Sequence, residues 1–107
     1  MAMPRIHDVI VIGGGSAGYA AARTARDAGC HVAIVDHGPL GGRCILRGCM
    51  PTKTILRSSS IMALMQRAEE FGLAPVRACA NLAGIIERKA RLVDEFARDR
   101  IEALQDP

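Results

Sequence analysis

Four residues separate two cysteines in the run Cys44-Ile45-Leu46-Arg47-Gly48-Cys49. A pair at that spacing can exchange electrons if its sulfurs meet. On a straight helix, residues five apart rise by about 7.5 Å, whereas a disulfide needs its Cα atoms about 4.4–6.8 Å apart. The segment must therefore bend, and Gly48 supplies a permissive backbone. Cys49 falls at the start of a helix opened by Pro51, with Arg43, Arg47 and Lys53 nearby in the chain. Helix N-termini and cationic neighbours favour a thiolate there. A bent, small-loop pair with one stabilised thiolate suits thiol–disulfide exchange better than stapling. Spacing alone also allows two unlinked, buried cysteines packed as small hydrophobes. Cys30 and Cys79 have no partner at motif spacing. The pair is not a zinc half-site, and His7, His31 and His37 lack metal-motif spacing, so no metal is expected.

A second constellation precedes the cysteines. Gly13, Gly15 and Gly18 form G-x-G-x-x-G between a β-branched run and an Ala- and Arg-rich run. Gly13 permits a tight turn, Gly15 lets backbone approach a pyrophosphate, and Gly18 lets a helix pack close to a strand. The helix N-terminus, at Ser16 and Ala17, then offers N–H groups and a positive dipole end to phosphates. Asp36 stands 18 residues beyond Gly18, where an acid takes a ribose hydroxyl pair. The bland alternative is a structural turn with Asp36 as a loop-start acid. The motif does not choose between FAD and NAD.

These residues need elements to position them. Ile6 to Ile12 reads as a buried strand, Ser16 to Ala28 as a helix stopped by Gly29, and His31 to Val35 as a second buried strand. Together they predict a right-handed β-α-β unit with parallel strands. His37 to Gly42 reads as loop. A helix from Pro51 to about Phe71 and another from about Asn81 to Leu104 follow, with Gly72 and Pro75 between them. The last helix would turn Leu82, Ile85, Ile86, Val93, Phe96, Ala97 and Leu104 inward. It would pair Glu87 with Arg91 and Asp94 with Arg98 outside. The fold class is α/β: an incomplete doubly wound, Rossmann-type domain, read as one part of a larger sheet.

Composition agrees with a globular unit. Of 107 residues, 50% are hydrophobic and only 3% aromatic, so the core must be aliphatic. A net charge of +3, spread among acids, argues against a nucleic-acid surface. No apolar run reaches the length of a membrane span. Val9–Ile12 followed by small residues suggests a secretory signal only weakly, because Asp8 and the glycine run sit badly in one. The expected location is the cytoplasm.

The stretch Gly41-Gly42-Arg43-Cys44-Ile45-Leu46-Arg47-Gly48-Cys49-Met50-Pro51-Thr52-Lys53 resembles the redox-active segment of the pyridine nucleotide-disulfide oxidoreductases. Dihydrolipoamide dehydrogenase, glutathione reductase and mercuric reductase belong to that family. The glycine turn and Asp36 occur in the family's order and spacing, and the likeness covers most of residues 6–71. It implies FAD, bound along Gly13, Gly15, Ser16, Ala17 and Gly18 with its ribose at Asp36. It also implies a Cys44–Cys49 disulfide against the flavin, with Cys44 as the interchange thiol and Cys49 as the flavin-side thiol. Lys53 would hold charge near the flavin, and Gly42, Arg43 and Thr52 would line the cofactor. NAD(P)H, a small disulfide or dithiol substrate and a homodimer would complete the full-length enzyme.

Two departures stand out. Asp36 replaces a commoner glutamate, and Arg43 replaces the usual threonine beside the first cysteine. Arg43 is expected to depress the Cys44 pKa. Residues 1–107 would be the N-terminal part of an FAD-binding domain, without the nicotinamide-binding and dimerisation domains or the family's acid–base histidine. The chain alone is then not expected to turn over, to retain FAD well, or to stay monomeric. A stand-alone nucleotide-binding or thiol redox module, or a non-catalytic remnant, are the competing readings.

Overall fold

The computed structural model describes residues 6–105. Strand β1 (Val9–Ile12), helix α1 (Ser16–Asp27) and strand β2 (Val32–Val35) form the β-α-β unit. The two strands are parallel, with Val9 opposite Val32 and Ile12 opposite Val35. The ladder continues into the glycine turn, where Gly13 N donates to the Val35 carbonyl at 2.8 Å. At the other end, the Asp8 carboxylate accepts from His31 N at 2.7 Å and sets the register.

Gly18 explains how α1 seats on this sheet. A Cβ there would lie 1.8 Å from the Gly13 carbonyl oxygen and 3.3 Å from Val11 Cγ1. Only glycine allows that approach. It brings Ala22 down to 5% exposure. Gly29, at φ +87°, ends the helix in the left-handed region.

The strands are half-covered rather than buried, which corrects the sequence expectation. Burial alternates along β1, because α1 packs on one face only; Ile10 and Ile12 are 61% and 88% exposed on the other. A β-branched run signals strand, but not how many faces are covered.

Beyond β2 come helices α2 (Gly42–Leu46), α3 (Cys49–Gln66) and α4 (Leu82–Gln105), with a 3-10 turn at Ala68–Phe71. Sequence reasoning gave residues 43–50 no helix and started α3 at Pro51; Pro51 instead sits in the first turn of a helix that begins at Cys49. The missing signal is length, since a five-residue helix shows no periodicity.

Helix α4 packs along α3 and reaches α2. Arg88 Nη1 donates to the Thr54 carbonyl at 3.1 Å, and the Arg100 guanidinium lies 4.0 Å from the Tyr19 ring centroid, tying α4 to α1. Val93 is buried on the expected inner face, but Leu82, Ile86 and Phe96 are exposed. Arg91 pairs with Glu95 at 3.3 Å instead of Glu87, and no Asp94–Arg98 pair forms among the described residues. The radius of gyration is 20.4 Å, against about 13 Å for a compact chain near this length. The fold is therefore elongated, with a small core at Ala22, Ile45, Ala68 and Val93.

Candidate functional site

The glycine turn and the cysteine segment meet at one point. A Cβ on Gly42 would lie 2.5 Å from Gly15 Cα, and Gly42 has φ +75°. The first turn of α2 is thus pressed backbone to backbone against the start of α1. Two motifs far apart in the chain become neighbours because neither carries a side chain there.

A cleft of about 580 Å³ opens beside this contact, lined by Gly15, Asp36, Gly42, Arg43 and Arg47 among others. The missing Gly15 side chain would project into open space, with nothing within 4 Å. A methyl group there would enter the cleft. The first helical N–H groups of α1 lack intrahelical partners, so the bare backbone at Gly15 suits a phosphate. On this observation the residues fit a dinucleotide.

Asp36 is held firmly. One carboxylate oxygen accepts from Gly14 N at 2.6 Å and the other from Gly38 N at 3.0 Å. These two N–H groups, Gly14 first, hold the carboxyl below the usual carboxylate range, with His37 adding a smaller pull. Gly14 was not singled out from the sequence. A Cβ there would come 3.0 Å from Asp36 Oδ2, so the middle of the three-glycine run makes room for the acid. Asp36 Oδ2 keeps a second lone-pair direction for a hydroxyl, whereas Oδ1 also has His37 Nδ1 at 3.5 Å.

The cysteines sit across the break between α2 and α3. Helix α2 ends at Leu46, and a Cβ on Gly48 would crowd the Arg43 carbonyl oxygen at 3.1 Å. The chain bends there as expected, which brings Cys49 close enough to act on the Cys44 thiol. Both are free cysteines in this structure. Cys44 is half-buried and Cys49 exposed.

The hydrogen bond with Cys49 raises the Cys44 pKa, helped by partial burial. The Cys49 N–H and the Lys53 ammonium oppose it. This overturns the expectation that Arg43 depresses Cys44: the thiol is shifted upward, and Lys53 is the cation that acts on it. Arg43 lines the cleft beside Asp36 instead. Ser16 and Ala17 are exposed on the first turn of α1, and Thr52 and Lys53 on that of α3. Gly15, Asp36, Gly42 and Arg43 thus share one cleft, while Cys44, Cys49 and Lys53 form a neighbouring group.

Residues 7–105 match the family described as pyridine nucleotide-disulphide oxidoreductase. The chain belongs to that family. Its sequence is 36% identical over 91 residues to a dihydrolipoyl dehydrogenase of Bacillus subtilis, covering 85% of this chain and 19% of the relative. It is 37% identical over 94 residues to a mercuric reductase of Staphylococcus aureus, covering 88% and 17%. A dihydrolipoyl dehydrogenase of Chlamydia muridarum is 35% identical over 102 residues, covering 95% and 22%. The chain spans about a fifth of the length of these curated relatives. Pyridine nucleotide-disulphide oxidoreductases are FAD-dependent enzymes that use NAD(P)H. The α/β start of this chain is consistent with part of a Rossmann-type FAD-binding domain.

Proposed function

We propose that this chain is the part of a flavin-dependent disulfide oxidoreductase that cradles FAD and carries its dithiol. The whole protein would pass electrons between NAD(P)H, the flavin, Cys44 with Cys49, and a small disulfide or dithiol substrate. The observation that carries this reading is the backbone contact between Gly15 and Gly42. It sets a phosphate-accepting turn directly beside the helix that bears Cys44.

Gly15, Asp36, Gly42 and Arg43 would hold the dinucleotide, with Asp36 toward the ribose hydroxyls. When bound, FAD supplies the two-electron chemistry that no side chain offers. The protein's part is to hold the thiols. Cys44, its pKa raised chiefly by Cys49, holds its proton more firmly than an ordinary thiol. The exposed Cys49 would face the flavin, and Lys53 would stabilise negative charge at Cys44. Forming the disulfide removes two electrons and two protons from the thiols and joins the two sulfurs. FAD, held by Gly15, Asp36, Gly42 and Arg43, would supply the two-electron acceptor in the full enzyme. A dithiol that cycles in this way fits the cytoplasm, and the exposed apolar side chains of β1 fit association with further protein, as in a homodimer.

Thiol counting tests the redox half. Mild oxidation followed by reduction should remove and restore two of the four thiols in the unsubstituted chain, and none in Cys44→Ser or Cys49→Ser. Four thiols surviving oxidation in the folded protein would refute the pairing. Flavin fluorescence on titration with FAD tests the cofactor half.

A further inference from the structure

We propose that Arg43 and Arg47 form a paired guanidinium clamp for the pyrophosphate of the dinucleotide, opposite the glycine turn. The inference rests on the nucleotide-binding reading above and adds a specificity element to it.

The two arginines are four apart across helix α2 and its C-cap, a spacing that places side chains on one face. Both line the cleft that Gly15 and Asp36 also line. Both are exposed, and among the described residues neither guanidinium has a hydrogen bond or an ion pair. Asp36 is the acidic residue on the cleft wall, and its two oxygens are already engaged by Gly14 N and Gly38 N. Two unpaired guanidinium groups thus face one carboxylate, and the cleft keeps a net positive charge.

Like charges four apart on a helix repel. An anion between them turns that repulsion into charge-assisted hydrogen bonds, which arginine makes in bidentate form with phosphate. A pyrophosphate presents two phosphate groups, one for each guanidinium, while the first turn of α1 contributes N–H groups from the other wall. Cys44 lies between the arginines in sequence but engages Cys49 instead. The two sides of α2 thus divide the work, phosphate on one and thiol chemistry on the other.

The test compares FAD, ADP and adenosine binding to the 107-residue protein and its variants, by fluorescence for FAD and calorimetry for the others. Arg43→Thr and Arg47→Ala should each weaken FAD and ADP about tenfold, the scale of one charged hydrogen bond, and leave adenosine unchanged. Arg43→Lys should retain part of the affinity, and added salt should weaken the unsubstituted protein more than either variant. FAD affinity unchanged in Arg43→Thr, with far-UV circular dichroism intact, overturns the clamp and leaves the nucleotide reading standing. An equal loss for adenosine places the arginines at the other end of the ligand and also overturns it. Weak binding is expected of this chain, so the titrations run to millimolar ligand; no binding of FAD or ADP even there overturns the nucleotide reading and the clamp together.

Discussion

Replacing Gly42 with alanine should destabilise this protein at the junction of its two motifs. The new Cβ would stand 2.5 Å from Gly15 Cα, and the backbone there has φ +75°. Two costs add. A side chain in the left-handed region costs about 1–2 kcal/mol. Overpacking against backbone, which no rotamer change relieves, costs about 1–3 kcal/mol. The sum is about 2–5 kcal/mol, a large share of the roughly 5–15 kcal/mol that holds a small domain folded. Gly72→Ala separates the two terms. It has φ +71° but nothing within 4 Å of its Cβ, so it should lose only the first. Gly15→Ala, at φ −75° with open space around its Cβ, should leave stability nearly unchanged and impair nucleotide binding instead. Urea unfolding followed by circular dichroism ranks the three, with FAD titration run on the same samples. If Gly42→Ala loses no more stability than Gly72→Ala, the two motifs are not pressed together and the argument for a joined site fails.

Two further predictions concern titration. The alkylation midpoint of Cys44 should lie above that of an ordinary thiol, fall in Cys49→Ala, and rise further in Lys53→Gln, read from pH-dependent labelling with mass spectrometry. Because the folded pKa of Cys44 is raised, its contribution to stability is present below the ordinary thiol pKa and disappears as pH rises through the folded value; a flat alkaline stability profile would contradict this. Asp36 has the opposite sign: its folded pKa is lowered, so its contribution is present above the usual carboxylate range and is lost as pH falls through the folded value. Asp36→Asn should therefore flatten the acid limb of the stability curve, and an acid unfolding midpoint identical to the unsubstituted protein would refute the two backbone hydrogen bonds as its cause.

Much of the architecture was legible in the residues because it rests on local rules. A β-branched run before glycines gives β1, the Ala- and Arg-rich run gives α1, and Gly29 ends it. The bend between Cys44 and Cys49 followed from helix rise against disulfide reach, and it is present. Local rules failed where the outcome depended on neighbours. The alternation that exposes Ile10 and Ile12 depends on what covers the sheet, and the exposure of Phe96 depends on what packs against α4.

The sequence by itself determined which chemistry is available: a glycine turn for phosphate, an acid at the end of β2, and two thiols that must meet. Those are consequences of residue type and spacing along the chain. Only the tertiary structure decided which groups act on which. Arg43, adjacent to Cys44 in sequence, belongs to the nucleotide cleft, while Lys53, nine residues away, acts on the thiol. Asp36 is committed to Gly14 and Gly38 by hydrogen bonds that no motif announces. The reason is physical: electrostatic and hydrogen-bonding effects fall with distance through space, and distance along the chain is a poor guide to it wherever a helix turns its neighbours in different directions.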